Sequence, residues 1–226
     1  MKKTITIHNI DATIRQLTGG HLESRPFLCE GSPIGSEVFL VGINPGTDTP
    51  FWPYWRIPHG CHKNEWIEDY LRRHSRFKPT RARIEILFKA ILPIKCLETN
   101  VFSQYSPNER SLHEAARDTR VFEYLLTVLV PTVMFIHGAS GIEHMEQVLK
   151  TSLPLGQFTT VTQNGREIDV ITGHHLSRGW SYERVDALGR EIQERCIRRR
   201  RQPVSATFIT SNGNPHFNSK PKNIDK

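Results

Sequence analysis

The chain has 226 residues, of which 37% are hydrophobic and 23% are charged, and this length can bury a core without disulfides or a structural metal. The composition excludes a collagen-like fibre and a highly charged disordered chain, and no apolar run approaches the ~18 residues of a membrane span. The formal net charge is +7, and the four cysteines form no C-x-x-C pair, which gives no sign of a zinc ribbon or an iron–sulfur site. Asp11 and Arg15 interrupt any apolar region of the signal-peptide type, and we expect a cytoplasmic monomer with reduced thiols.

Hydrophobic runs and turn residues predict strands that alternate with helices. The first strand, at 37–43, ends in the turn Asn44-Pro45-Gly46 and leads into a long loop. The remaining predicted elements are a helix at 64–76, a helix capped by Thr80, a strand at 95–102, a helix opened by a Ser-x-x-Glu capping box at 106–109 and ending before Pro131, a strand at 132–137, a helix to about 150, strands at 158–162 and 167–172, and a helix at 181–199.

This alternation is typical of α/β proteins, in which helices cover both faces of a sheet. The sequence therefore predicts a three-layer α/β/α domain over 1–200 with a central, mostly parallel sheet, and a C-terminal tail at 201–226. Sites in such folds form at the carboxyl ends of the strands. That edge would bring together the segments 44–66, 100–106 and 173–180.

The positive charge is unevenly distributed. Residues 195–226 hold eight Lys or Arg side chains and one Asp, and a second run at 71–84 holds six Lys or Arg side chains and no acid. Basic clusters favour a phosphate backbone because binding releases counterions. The alternatives are a solubility tail and a solvated helix face. As candidate DNA contacts the second run supplies Arg72, Arg73, Arg76 and Lys78.

Three segments stand at the predicted strand ends: Gly-Ile-Asn-Pro-Gly at 42–46, Thr-Asn-Val-Phe at 99–102 and Gly-His-His-Leu-Ser-Arg-Gly at 173–179. In order and spacing they resemble motifs of the uracil-DNA glycosylase superfamily. Residues 42–46, Gly-Ile-Asn-Pro-Gly, are similar to the first active-site motif of the thymine/mismatch-specific branch. Thr99-Asn100-Val101-Phe102 resembles the family strand whose Asn reads the pyrimidine edge. Residues 173–179, Gly-His-His-Leu-Ser-Arg-Gly, resemble the last motif, a loop that inserts into DNA beside the flipped base, although Leu176 stands where proline is usual. The resemblance covers roughly 27–195 and implies a uracil-DNA glycosylase-like fold.

The first motif and the strand motif imply the two central roles. Asn100 would read the base, since an amide offers one acceptor and two donors and can pair with uracil, thymine or cytosine. Asn44 stands where the more active branches have a carboxylate. Because Asn cannot act as a general base, it would orient the attacking water, with Asp48 as a candidate partner and Glu65 as a weaker one. Asp48 as a turn residue and Glu65 as a first-turn helix acid are the alternative interpretations.

The last motif implies a hydrogen-bond donor and two DNA contacts. Charge builds on the departing pyrimidine, so a neighbouring histidine that donates a hydrogen bond lowers the barrier. Either His174 or His175 fits that role, and Ser177 and Arg178 would contact DNA. His137 also ends a predicted strand near this edge, but there a satisfied core histidine is the favoured interpretation.

Residues 51–66 contain five aromatic side chains, including three of the four tryptophans. The resemblance implies that one aromatic ring stacks on the flipped base, and Phe51, Trp52 and Trp55 are the candidates. Since one pyrimidine needs one ring, the surplus indicates either a packed loop core or a larger ligand, such as a base that carries a sugar.

His59, Cys61 and His62 could suggest a zinc site, but three ligands within four residues are too crowded for the usual tetrahedral geometry. We therefore expect a monofunctional DNA glycosylase that removes a uracil-like or modified pyrimidine from double-stranded DNA, with no cofactor and no membrane partner. The alternatives are a glycosylase for bulky phage-modified cytosine in antiviral defence and a catalytically weak DNA-binding reader.

Overall fold

A six-stranded sheet organises residues 4–201, which are the residues that the computed structural model describes. The strands of the chain are β1 (Phe27–Leu28), β2 (Val38–Gly42), β3 (Trp55–Arg56), β4 (Gly60–Cys61), β5 (Cys96–Asn100), β6 (Val133–His137), β7 (Phe158–Gln163) and β8 (Arg166–Gly173). Six of them form the main sheet in the order β1-β5-β2-β6-β8-β7, while β3 and β4 pair separately. The inner strands β5, β2, β6 and β8 are parallel, and β1 and β7 add antiparallel edges. The predicted mixed α/β class with a mostly parallel sheet is confirmed.

Helices lie against both faces of this sheet, an arrangement compatible with three α/β/α layers. They are α1 (Ile7–Thr18), α2 (Lys63–His74), α3 (Pro79–Ile91), α4 (Arg120–Leu129), α5 (Ala139–Leu149) and α6 (Tyr182–Arg201). On one face α3 and α6 pack on each other and on the sheet. Buried side chains of α1, α4 and α5 join the cluster on the other face. No described helix is long and apolar enough to cross a membrane.

Alternation along the buried strands explains the two clusters. Successive side chains of a strand point to opposite faces, so Val38 and Leu40 of β2 join the α3/α6 cluster while Phe39 and Val41 join the other. Every residue of β2, β5 and β6 is buried, as expected of parallel strands covered on both sides.

The order of the strands places a crevice between β2 and β6. From β2 the chain crosses to β5 on one side, whereas from β6 it crosses to β8 on the other side. The carboxyl edge between two strands that diverge in this way is the usual ligand position in open α/β sheets. Gly42 and His137 end the two strands at this point.

Several local predictions differ from the structure. Helix α3 begins at Pro79 and its N-cap residue is Lys78, so Thr80 lies inside the helix and does not cap it. The capping box at 106–109 is wrong, because Asn108 instead accepts from the N–H of Ser111 and closes a single 3-10 turn over Glu109–Ser111. Helix α4 begins only at Arg120. Helix α1 was not predicted. Its N-terminus is closed by a capping box of reciprocal hydrogen bonds between Thr6 and Asn9, in which Asn takes the position that Glu or Gln usually holds in this motif.

The last helix extends beyond its predicted end. Helix α6 continues through Arg201, one residue into the segment predicted as a tail. The rest of that predicted tail, 202–226, lies outside the described residues.

Candidate active site

A cavity of about 1010 Å³ opens at the carboxyl edge of the sheet, on the face covered by α3. Its walls come from the ends of β2, β5 and β6, the N-terminus of α3, and the loops after β5 and β8. The lining of the cavity includes Arg25, Gly42, Asn44, Lys78, Arg81, Glu98, Asn100, Arg110, His137, His175, Ser177 and Arg178. The structure thus brings together Asn44, Asn100 and His175 from the three predicted motifs.

Asn44 is held rigidly in the turn after β2. Its Nδ2 donates to the carbonyl oxygens of Pro45 at 3.1 Å and Ser106 at 2.9 Å. Because carbonyl oxygens accept only, this network assigns the amide orientation and leaves Oδ1 as the acceptor. A fixed acceptor at the cavity wall can orient a water molecule, but it cannot take the proton as a base.

Asn100 ends β5 directly beside Gly42 in the parallel register. Its side chain is only 6% exposed, and its Nδ2 has no hydrogen-bond partner among residues 4–201. A Cβ atom built on Gly42 would lie 2.7 Å from Asn100 Oδ1, so glycine is needed at this position. A buried amide that lacks a partner has hydrogen-bonding capacity available for a ligand.

Of the two neighbouring histidines in the loop after β8, His175 lines the cavity and His174 does not. The N–H of Ser177 donates to its Nδ1 at 3.2 Å, so in the neutral ring the proton lies on Nε2 and is available for donation. Partial burial, together with the positive charge of Arg178, lowers the pKa of His175 and favours that neutral form. The side chain of His174 is exposed, and its carbonyl accepts from Trp180 Nε1 at 2.9 Å.

Leu176 and Trp180 fix the shape of the loop that carries His175. Leu176 is fully buried in the α3/α6 cluster, so its side chain anchors the loop. The carbonyl of Trp180 accepts from Arg83 Nε at 2.8 Å, which ties the loop to α3. The exposed part of this loop is therefore carried on a packed base.

His137 contradicts the expectation of a satisfied core histidine. It is buried at 6% exposure, but it lines the cavity, and its Nδ1 has no partner in the described part of the chain. Burial and the neighbouring His175 lower the pKa of His137 to about 3, so the ring is neutral at physiological pH. Its position at the end of a buried strand was the one available sequence signal.

A buried ion cluster that the sequence analysis missed supports the cavity beneath Asn100. Glu98 accepts from Arg81 at 2.6 and 2.7 Å and from Arg25 at 3.3 Å. Although burial opposes ionisation, the two guanidinium groups lower the pKa of Glu98 to about 2. Burial lowers the pKa of Arg25 to about 10, and Arg81, which also contacts Glu85, has a raised pKa. The one sign in the sequence was a glutamate in the middle of a predicted strand.

The cavity has a positive rim. Lys78, Arg110 and Arg178 line it with exposed side chains. Of the other predicted DNA contacts, Arg72 and Arg73 pair with Asp69, and Arg76 is exposed. None of these three lines the cavity. Ser177 does, so three of the six predicted DNA contacts are at the cavity, namely Lys78, Ser177 and Arg178.

The aromatic loop packs into the core instead of the cavity. Phe51 and Trp55 are buried and meet Phe27 edge to face, with ring centroids 5.1 and 5.3 Å away. Trp55 Nε1 donates to Asp11 at 2.7 Å, and Trp52 Nε1 donates to the carbonyl of His21 at 3.0 Å. None of the three predicted base-stacking rings lines the cavity. The structure thus favours the packed loop core over a stacking platform.

The two candidate partners of Asn44 also lie elsewhere. The side chain of Asp48 is 58% exposed and approaches His74 Nε2 at 3.4 Å. Glu65 forms a two-fold ion pair with Arg56 near the surface. Neither carboxylate lines the cavity, which leaves Glu98 and Glu109 as its acidic residues.

The arginine run near the end of α6 lies at the opposite edge of the sheet. Arg199 pairs with Asp169, which stands beside Val133 at the start of β6, and Arg200 pairs with Glu37, which precedes β2. The first residues of the strands are at the amino edge, away from the cavity. These arginines therefore neutralise carboxylates of the fold.

Among residues 4–201, no group of three or more His, Cys, Asp or Glu side chains is placed to hold a metal ion. No protein-family model matches the sequence. A search of curated proteins also finds no significant match.

Proposed function

We propose that the protein is a monofunctional DNA glycosylase with a uracil-DNA glycosylase-like fold, which hydrolyses the N-glycosidic bond of a flipped-out pyrimidine. The observation that carries the proposal is the convergence of Asn44, Asn100 and His175 on one cavity at the divergence of β2 and β6. Each of these residues belongs to one of the three segments that resemble uracil-DNA glycosylase motifs. The proposed partner is double-stranded DNA with a modified or mismatched pyrimidine, bound by a cytoplasmic monomer without a cofactor.

In the proposed reaction Asn100 reads the flipped base, while His175 and Asn44 act on the bond that breaks. The base leaves the duplex because its reacting bond is inaccessible inside the stack. The C1′–N1 bond breaks through an oxocarbenium-like sugar, and its electron pair departs with the base. Nε2–H of His175 stabilises the charge on the departing base. Oδ1 of Asn44 orients the water whose oxygen bonds to C1′. That water loses a proton to solvent and the base anion takes up a proton from solvent at N1, which leaves an abasic site and a free base.

The positive rim supports a nucleic-acid substrate. Five Lys or Arg and two acidic side chains line the cavity, and two of the basic ones, Arg25 and Arg81, are held in buried ion pairs with Glu98, Arg81 also pairing with Glu85. The exposed Lys78, Arg110 and Arg178 remain around the opening, where phosphates that flank an extruded nucleotide would lie.

A direct assay tests the proposal. Duplexes that contain uracil, a T·G mismatch, 5-hydroxymethylcytosine or glucosylated 5-hydroxymethylcytosine are incubated with the full chain, treated with alkali and resolved on a gel. Mass detection of the released base confirms the reaction. We expect alkali-dependent cleavage at one of these bases. Binding without release from every duplex would leave the weak reader, and neither binding nor release would reject both interpretations.

The size of the cavity favours a bulky base as a second candidate substrate. Its volume of about 1010 Å³ is at the upper end of the roughly 300–1,000 Å³ that is usual for pockets enclosing drug-sized ligands. A single pyrimidine leaves much of this space empty, whereas a cytosine that carries a hexose fills more of it. Release of the glucosylated base at a higher rate than uracil in the assay above would establish this preference, which is the one expected of a defence against modified phage DNA.

A further inference from the structure

His137 is a buried polar side chain of the cavity that the proposed reaction does not use and that has no ion-pair partner in the described chain. It follows Ile136, the partner of Val41 in the β2–β6 register, so it stands next to Gly42 at the carboxyl edge. The missing side chain of Gly42 leaves a space that a Cβ would occupy at 2.7 Å from Asn100 Oδ1 and 3.3 Å from His137 Nε2. The amide and the imidazole therefore border the same part of the cavity floor.

The surroundings of the ring determine which nitrogen carries the proton. The neutral ring has one N–H and one lone pair. Nδ1 is sealed from solvent and has no hydrogen-bond partner within residues 4–201. A buried N–H without an acceptor is rarer and more costly than an unpartnered acceptor, so the proton belongs on Nε2. His137 thus directs an N–H donor to the side of the ring that borders Gly42 and Asn100.

We propose that His137 Nε2–H donates a hydrogen bond to a carbonyl oxygen of the bound pyrimidine, so that His137 and Asn100 read the base together. This inference rests on the proposed function. The amide of Asn100 can cover two neighbouring positions of the base edge. Uracil, thymine and cytosine share the O2 carbonyl, so a donor to O2 selects pyrimidines as a class while Asn100 distinguishes among them.

The position of His137 suits this role better than an exposed loop would. The residue ends a strand that pairs on both sides, and its ring meets that of His175 edge to face with centroids 5.2 Å apart. Two N–H donors therefore stand on one wall of the cavity, one on the sheet and one on the loop. A donor whose place is fixed before the base arrives loses little freedom on binding.

Two substitutions separate a base contact from a packing role. The amide nitrogen of Gln can replace Nε2 of a histidine, whereas that of Asn replaces Nδ1. We expect His137→Asn to lower the single-turnover rate of base release about 10- to 100-fold, while His137→Gln stays within about threefold of wild type. His144 is the matched control, because it too has one sealed ring nitrogen without a partner in the described chain (Nε2 in His144, Nδ1 in His137) but does not line the cavity. His144→Asn should release the base at the wild-type rate.

Ring ¹⁵N spectra of the full chain provide a readout that does not depend on catalysis. Free uracil and free cytosine at millimolar concentration serve as probes, and the His137 signals are assigned by their loss in His137→Gln. We expect either base to shift the His137 Nε2 signal and to leave the His144 signals unchanged. Melting temperatures of the variants check that they are folded, and the spectra need only wild type and His137→Gln if His137→Asn does not fold.

The outcomes distinguish failure of this inference from failure of the proposed function. Base release by wild type, with equal rates for both His137 variants and no shift of the His137 signal, would overturn the inference and keep the glycosylase. No release from any duplex would reject the glycosylase, and the spectra would then decide: a shifted Nε2 signal supports a pyrimidine contact, and an unchanged one overturns it.

Discussion

The side chain of Asn44 donates a hydrogen bond to the main chain of Ser106 and so connects the ends of two neighbouring strands. Nδ2 of Asn44, after β2, donates to the carbonyl of Ser106, after β5, at 2.9 Å. The N–H of Ser106 donates in turn to the carbonyl of Pro45 at 3.1 Å. The loops after β2 and β5 are thus held together at the cavity. The Oδ1 atom of Asn44 remains as an uncharged acceptor.

This tether gives the first prediction. Asn44→Ala should lower the single-turnover rate of base release by at least ~10²-fold, because it removes the group that positions the water. DNA affinity, measured by fluorescence anisotropy, should remain close to wild type, since the rim charges are unchanged. The matched control is Asn64→Ala, which removes an exposed amide from α2.

The acidic residue in the same loop sharpens this test. Asp48 is exposed beside His74 and does not line the cavity, so Asp48→Asn should change the release rate less than Asn44→Ala. Near-normal release by Asn44→Ala, or a larger loss in Asp48→Asn, would remove Asn44 from the role of orienting water.

Much of this edge was predictable because strand ends are visible in the sequence. The buried run before Asn44 and the end of the strand at Asn100 define positions on one edge of a parallel sheet. The choice between His174 and His175 was not predictable, since it depends on the N–H of Ser177 and on the turn that directs it.

Other parts of the site depend on contacts that are distant in sequence. Glu98 meets Arg25 across 73 positions and Arg81 across 17, and no local pattern indicates such a pairing. The same reason explains why the sequence could not decide between a packed loop core and a base-stacking surface for Phe51 and Trp55. Aromatic content indicates burial, but only the packing against Phe27 shows that the rings belong to the core.

The second prediction concerns that aromatic core. Trp55→Ala should lower the free energy of unfolding by roughly 3–5 kcal/mol, the range for removing a large buried ring. At a temperature where the variant is folded, its relative rates on uracil, mismatched thymine and glucosylated cytosine should match those of wild type, because Trp55 does not line the cavity. Urea denaturation and the gel assay measure the two effects. A selective loss on the glucosylated base would restore the loop as a binding surface.

The third prediction separates the two basic regions. Lys78→Ser and Arg178→Ser should each reduce the slope of log K against log salt by about 1, as expected for the loss of one phosphate contact. Arg200→Ser should leave that slope unchanged, because its guanidinium pairs with Glu37 at the amino edge of the sheet. Titrations of a duplex at several salt concentrations provide the slopes. A reduced slope for Arg200→Ser would extend the DNA-binding surface around the protein.

The fourth prediction concerns the dependence of stability on pH. Burial lowers the pKa of His137 from the ordinary histidine value of 6.5 to about 3 in the folded protein. Below pH 6.5 the unfolded chain therefore binds a proton that the native ring refuses, so the free energy of unfolding falls as the pH is lowered from 6.5 towards 3. Glu98 adds to this loss below pH 4.5, the ordinary pKa of a glutamate, because its pKa in the folded protein is about 2.

Replacement of His137 isolates its share between pH 6.5 and 4.5, where Glu98 is ionised in both states. One proton contributes at most about 1.4 kcal/mol per pH unit, so His137→Gln should lose stability more slowly than wild type by up to about that slope. His175, whose pKa is also lowered, is present in both proteins, and its contribution largely cancels in the difference. Urea denaturation at half-unit intervals of pH measures the two slopes. Parallel curves for wild type and His137→Gln would mean that the native ring takes up a proton as readily as the unfolded chain, and the neutral donor assigned to His137 would then be wrong.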